Sequence, residues 1–142
     1  MPMKCDIVSA HKTIFSGEAA MLVASGIAGE LGIMPGHVPL MTKLKAGPVR
    51  LIDVEGEEQV FIVGGGILEV MPHMVTVLAD SAMRASDFDE TEARRAKAEA
   101  ERVLQQQKGR IEIAEAQARL KEAIQQLQAM EQFRRRMKKM VG

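Results

Sequence analysis

The chain contains no Trp, no Tyr and only four Phe in 142 residues, so its core must be aliphatic. A single cysteine, Cys5, excludes an intrachain disulfide and suits a reducing cytosol. The sequence does not open with a basic region followed by an apolar run, so no signal peptide is expected. No segment approaches the roughly 20 apolar residues of a membrane-spanning helix, and any membrane association is expected through partners alone. Net charge is also missing, since 19 Lys/Arg balance 19 Asp/Glu. The balance does not hold locally. Residues 1–86 carry six Lys/Arg against nine Asp/Glu, net −3, and residues 87–142 carry thirteen against ten, net +3. Two chemically different parts are expected, a domain over 1–86 and an appendage over 87–142. Eleven Met read mostly as core filler, a role their flexible side chains suit.

Signatures of catalysis are absent as well. Gly64-Gly65-Gly66 lacks the Lys-Ser/Thr that completes a phosphate loop and leads into a strand-like run, which makes it a turn or bulge between strands. There is no Gly-x-Ser-x-Gly, and no base accompanies Cys5. His11, His37 and His73 lie far apart beside turn residues, without metal-ligand spacing. No active site, metal or cofactor is expected. The acidic first part and the scarcity of stacking groups argue against nucleic acid.

What is present falls into two periods. Cys5–Ser9, Ala20–Ser25, Val49–Ile52, Val60–Val63, Ile67–Val70 and Val75–Ala79 read as short strands rich in β-branched and apolar residues. Gly17, Gly26, Gly29, Gly47-Pro48, Gly56 and Pro72 mark their connections, and Glu55-Gly56-Glu57-Glu58 predicts a hairpin turn. With no helical segment between the strands, an antiparallel sandwich or barrel is expected. Val60-Phe61-Ile62-Val63 alternates little, as a strand covered on both faces would.

At residue 86 the period changes. Asp87 and Glu90 have capping-box spacing. Ala93, Ala96, Ala100, Val103 and Gln107 follow at three- and four-residue steps, and Gly109 is a natural stop. A second stripe runs through Ile113, Ala116, Leu120, Ala123, Ile124, Leu127, Met130 and Met137. An αα-hairpin is predicted, with helices over about 88–108 and 112–138, roughly 30 and 40 Å long. The longer second helix is expected to leave Arg134, Arg135, Arg136, Lys138 and Lys139 without an intrachain partner.

One stretch is denser in information than the rest. Gly29-Glu30-Leu31-Gly32-Ile33-Met34-Pro35-Gly36-His37-Val38-Pro39-Leu40 holds three glycines and two prolines. Pro35-Gly36 fits the centre of a type II turn, while Leu31, Ile33, Val38 and Leu40 keep apolar residues at alternate positions on either side. This is a shaped corner that displays Glu30 and His37. It resembles the signature of the ε subunits of F-type ATP synthases, Gly-Glu-x-Gly-Ile-x-Pro-Gly-His-x-Pro-Leu. Gly65-Gly66-x-Leu68-Glu69-Val70, Val75-Thr76-Val77-Leu78-Ala79-Asp80 and an alanine-rich hairpin follow in the family's order. The likeness is greatest to the proteobacterial type.

That resemblance implies an all-β sandwich of about ten short strands followed by the helical hairpin. It implies a non-catalytic central-stalk subunit at the cytoplasmic face of the bacterial inner membrane. The sandwich would couple the γ subunit to the rotor ring of c subunits, with Glu30, Gly32 and His37 as ring contacts. The hairpin would inhibit ATP hydrolysis by carrying Arg134, Arg135, Arg136, Lys138 and Lys139 to the β subunit. Only Asp89 and Ala93 match the motif of nucleotide-binding members. Glu92 stands where that motif has arginine, and Glu122 and Gln126 where its second helix has arginines, so tight ATP binding is not implied. The residues alone also fit a stand-alone sandwich that binds protein and oligomerises through a helical tail.

Overall fold

A computed structural model describes residues 1–106 and 109–141, without the side chains of residues 139–141. Eight strands come first: β1 (Met3–Ser9), β2 (Thr13–Ala19), β3 (Met21–Gly26), β4 (Gly29–Ile33), β5 (Leu40–Ile52), β6 (Glu58–Met71), β7 (Met74–Ala79) and β8 (Ala82–Arg84). They are hydrogen-bonded in the order β2-β1-β7-β6-β5-β3-β4, with β8 on β6. Only β1 and β7 run parallel. The β-sandwich followed by a two-helix hairpin is therefore present, with eight strands rather than about ten.

The lower count follows from β5 and β6, which span 13 and 14 residues and serve both layers. Residues 66–71 of β6 pair with β7, while residues 61–63 carry β8 and residues 50–52 of β5 carry β3. Gly47-Pro48 does not mark a connection; it lies inside β5. The glycine run lies inside β6, where Gly65 and Gly66 have φ of +108° and +142°. The β5–β6 register skips Lys45 and Gly65 at that point, so the run bends a strand instead of ending it. The predicted turn after β5 is present. Asp53 Oδ1 accepts hydrogen bonds from the backbone N–H groups of Glu55 and Glu57, both at 2.9 Å.

The core between the layers is aliphatic. Met3, Cys5 and Ile7 of β1 meet Leu22, Ala24, Leu44, Leu51, Phe61, Val63, Leu68, Val70, Val75 and Val77. β2 and β4 escape sequence reading because they are largely polar or glycine-containing and only partly buried.

A 3₁₀ turn at Ala85–Asp87 leads to α1 (Glu90–Gln105) and α2 (Arg110–Val141). Asp89, not Asp87, is the N-cap: its carboxylate accepts from Glu92 N–H at 3.2 Å. Phe88 is extended, which delays the helix past Asp87. Gln107, the last residue of the predicted first stripe, lies outside the described residues. The 32 residues of α2 reach about 48 Å and the 16 of α1 about 24 Å, a larger mismatch than the sequence implies.

Candidate functional site

α2 does not stand free of the sandwich. Its second half lies on the outer face of β5 and β6, where Ala129 and Met130 cover Ile62. Met83, Ala85, Phe88 and Phe133 pack around them. This explains the run that does not alternate: Phe61 and Val63 belong to the core between the layers, and Ile62 to a second cluster under the helix.

Two glycines make close approach possible. A Cβ at Gly64 would stand 2.8 Å from Gln125 Oε1. One at Gly47 would stand 2.8 Å from Gln132 Oε1 and 2.7 Å from Ser25 Oγ. Gln125, Ala129, Gln132 and Arg136 recur at steps of four, three and four, which is one face of a helix. Their seat is small and half polar. Ser81 Oγ is buried in it, beneath Gly64, without a hydrogen-bond partner among the described residues, and such a group carries a desolvation cost. Sequence reading missed this seat. The signal available was the glycine run together with glutamines seven apart on the second helix.

The expectation that the basic tail lacks intrachain partners is overturned. The helix lies along the sheet as well as along α1, so sandwich remains beneath it where α1 has ended. Arg136 pairs with Glu30 on β4. Arg134 Nη1 lies 3.2 Å from Glu90 Oε2 at the start of α1, and Arg135 lies 2.6 Å from Glu131 on its own helix. Arg94 and then Arg134 hold the Glu90 carboxyl below its ordinary range. Lys138 is exposed and has no ion pair among the described residues. The side chain of Lys139 lies outside the described ones.

The corner has the predicted turn. His37 N–H donates to Met34 O at 3.2 Å, and Gly36 has φ of +86°. Gly36 N–H also donates to Pro72 O at 2.8 Å, which ties the corner to the β6–β7 connection. The His37 ring is half-buried, its Nδ1 2.6 Å from Val38 O. Glu30 and Gly32 lie two apart on β4 and so share a face of the strand; Glu30 opposes Ser25 and Gly32 opposes Val23. A Cβ at Gly32 would come 2.9 Å from Met21 Cε. The structure thus brings Glu30 to the tail, a proximity that the sequence order conceals.

A separate face of the sandwich exposes apolar side chains around Lys43 and Glu69. Ile67 and Leu78 oppose each other on β6 and β7, and both are exposed, as are Met41 and Met71. Met41 is two residues from Lys43, which opposes Ile67, so these side chains line one surface. Exposed Met34 and Val38 extend apolar surface to the corner.

Among the described residues no three His, Cys, Asp or Glu are grouped to hold a metal. The Cys5 thiol is pushed up to about 12, by burial first and by Asp6 second, which keeps it protonated. Asp89 is committed to capping α1, and Ala93 is buried in the hairpin. Among the described residues no helix is long and apolar enough to cross a membrane.

Comparison with known proteins gives this architecture its context. Residues 2–85 match the family model described as ATP synthase, Delta/Epsilon chain, beta-sandwich domain, and residues 86–131 the one described as its long alpha-helix domain. The ATP synthase epsilon chain of Stenotrophomonas maltophilia (strain K279a) is 54% identical over 136 residues, covering 96% of this chain and 97% of that one. The ATP synthase epsilon chain of Nitrosococcus oceani is 54% identical over 137 residues, covering 96% and 98%. A chain in the Euglena gracilis mitochondrial ATP synthase OSCP/F1/c-ring assembly shares the fold with a TM-score of 0.61 at 18% identity, covering 84% of this chain and 76% of its own. With both of its parts matched in order, the chain belongs to the ATP synthase delta/epsilon family.

Proposed function

We propose that this chain is a non-catalytic rotor subunit of the central stalk of a proton-translocating F-type ATP synthase. Residues 1–86 bind the γ subunit and rest on the ring of c subunits, and residues 87–142 form a regulatory hairpin. The observation that carries the reading is the exposure of Met41, Ile67, Met71 and Leu78 around Lys43 and Glu69 on one face of the sheet. A neighbouring run of exposed apolar side chains on a sheet marks a protein contact. The γ subunit covers this face, and Glu30, Gly32 and His37 meet the polar loops of the ring. The chain reaches the cytoplasmic face of the membrane through these partners.

The hairpin restrains ATP hydrolysis by leaving its seat and carrying its basic end to the β subunit. Support comes from the seat itself, where glutamines rest on glycines and Ser81 is buried without a partner. A contact of this kind holds a helix less firmly than an apolar core does. Arg134, Arg135, Arg136, Lys138 and Lys139 then have two sets of partners, one in the folded chain and one in the enzyme.

The test is ATP hydrolysis by enzyme reconstituted with the full chain, with a chain ending at Phe133, or with Ala at all five basic positions. Both variants should release activity, the truncation at least as much as the substitutions. Equal rates at low salt and equal occupancy would leave the basic run with its partners in the folded chain alone and no role in restraint.

A further inference from the structure

The end of α2 and the outer face of β3, β4 and β5 enclose a cleft of about 630 Å³. Four cations line it: Lys45 from the sandwich, and Arg135, Arg136 and Lys138 from the tail. Glu30 is the one lining acid among the described residues. Arg135 is drawn aside by Glu131, while Arg136 reaches Glu30. Lys45 and Lys138 have no ion pair among the described residues. Folding of the hairpin therefore brings three tail cations to a wall that already carries Lys45, and Glu30 is the counter-charge that makes the approach favourable.

Glu30 is not consumed by this contact. Its side chain keeps 45% of its exposure and that of Arg136 keeps 31%. The carboxylate stands at the start of β4, beside the β3–β4 turn, where a partner can reach it.

We infer that Glu30 is a shared carboxylate, for which a cation of the rotor ring's polar loops and Arg136 of the chain's own tail compete, so that seating on the ring and folding of the hairpin oppose each other. This rests on the reading of the corner as a ring contact. A ring cation on Glu30 leaves Arg136 among Lys45, Arg135 and Lys138 without a counter-charge, and the tail is repelled. Linkage requires the converse to the same degree: a docked Arg136 weakens the ring's hold on Glu30. The same tail residue thus informs the hairpin about the state of the corner without any movement inside the sandwich.

The experiment measures binding of the full chain to a detergent-solubilised complex of γ and the ring, and amide exchange of residues 125–136 with and without that complex. Arg136→Gln should tighten binding about 2- to 5-fold, the size expected when one partly exposed ion pair ceases to compete. Glu30→Gln should weaken it. Exchange of α2 should rise several-fold when the wild-type chain binds and should not rise further in Arg136→Gln. The charge exchange Glu30→Arg with Arg136→Glu should restore α2 protection in the free chain but not ring binding, which separates the ion pair from a general loss of structure. If Glu30→Gln weakens binding while Arg136→Gln binds as wild type and ring binding leaves α2 exchange unchanged, competition is overturned and the corner reading stands. If Glu30→Gln binds as tightly as wild type, the corner reading falls and takes the competition with it.

Discussion

Phe61 and Ile62 are neighbours on β6, yet they face two different kinds of interior. Phe61 points into the core between the layers, packs on Phe15 with ring centroids 5.7 Å apart, and belongs to a largely aliphatic cluster with buried members on β1 through β7. Ile62 points the other way, into a cluster whose buried members besides itself are Ala129 and Met130. Glutamine–glycine contacts and an unpartnered hydroxyl complete that second interior. Both residues are fully buried, so burial alone does not distinguish them. The difference lies in what would be exposed if each interior opened. Opening the first would unfold the sandwich. Opening the second would uncover Ile62, Ala129, Met130 and a few partly buried side chains and leave the eight strands paired. One chain thus carries two interiors of different size and composition by changing the side chains on alternate positions of a single strand.

The largest effects should separate the two interiors outright. Phe61→Ala should cost about 3–5 kcal/mol in the melting of the sandwich. Ala129→Glu places a carboxylate against Ile62, and burying an unpaired charge is strongly unfavourable. That variant should release α2, with amide protection over residues 125–136 falling at least about 10-fold by the same desolvation argument, while the sandwich melts as before. Cys5 reports which interior has opened. Its thiol is buried and raised to about 12, so a thiol reagent should label it in step with unfolding of Phe61→Ala and ignore the undocking of Ala129→Glu. Labelling of Cys5 in Ala129→Glu at native temperature would mean that the two interiors are one cooperative unit.

A smaller effect should run in the stabilising direction. Ser81→Ala removes the buried hydroxyl that has no partner. The docked hairpin should gain about 1 kcal/mol, at the lower end of the cost of an unsatisfied group. Slower exchange of α2 at unchanged sandwich stability would show it. Faster exchange would mean that the hydroxyl holds the seat together through a contact with Gln125.

The smallest effect is electrostatic. Arg94 first and Arg134 second hold Glu90 below its ordinary 4.5. A carboxylate lowered in the folded form favours that form above 4.5 and loses its contribution as pH falls through the lowered value. Amide protection over the last turns of α2, taken relative to the intrinsic exchange rate at each pH, should therefore fall on acidification below 4.5, and Glu90→Gln should remove part of that dependence. An identical pH profile in the variant would show that the Arg134–Glu90 pair contributes nothing to docking.

Much of this molecule is written in local pattern. Alternating apolar residues, frequent turn residues and the absence of helical period foretell a sandwich, and the change at residue 86 foretells a hairpin. The Pro35-Gly36 turn and the Asp53–Glu57 turn are legible because each depends on a few adjacent residues with restricted dihedrals. β2 and β4 are not legible, since a half-exposed strand with polar or glycine positions has no clean period. The interruption read at Gly47-Pro48 and at Gly64-Gly65-Gly66 fails for a different reason. Glycine and proline usually punctuate strands, but here Gly47 and Gly64 thin the sheet so that a helix can lie on it.

The sequence by itself determined the two-part chain, the aliphatic core, the exposed corner with Glu30 and His37, and the basic end of the second helix. Only the tertiary structure decided that the basic end is folded back, that Arg136 meets Glu30 across more than a hundred residues, and that Gln125 and Gln132 rest on Gly64 and Gly47. Periodicity records which face of an element is apolar; it does not record which other element covers that face. A seat made of glycine, glutamine and one serine has almost no hydropathy signal of its own, because its specificity lies in how closely two backbones can approach.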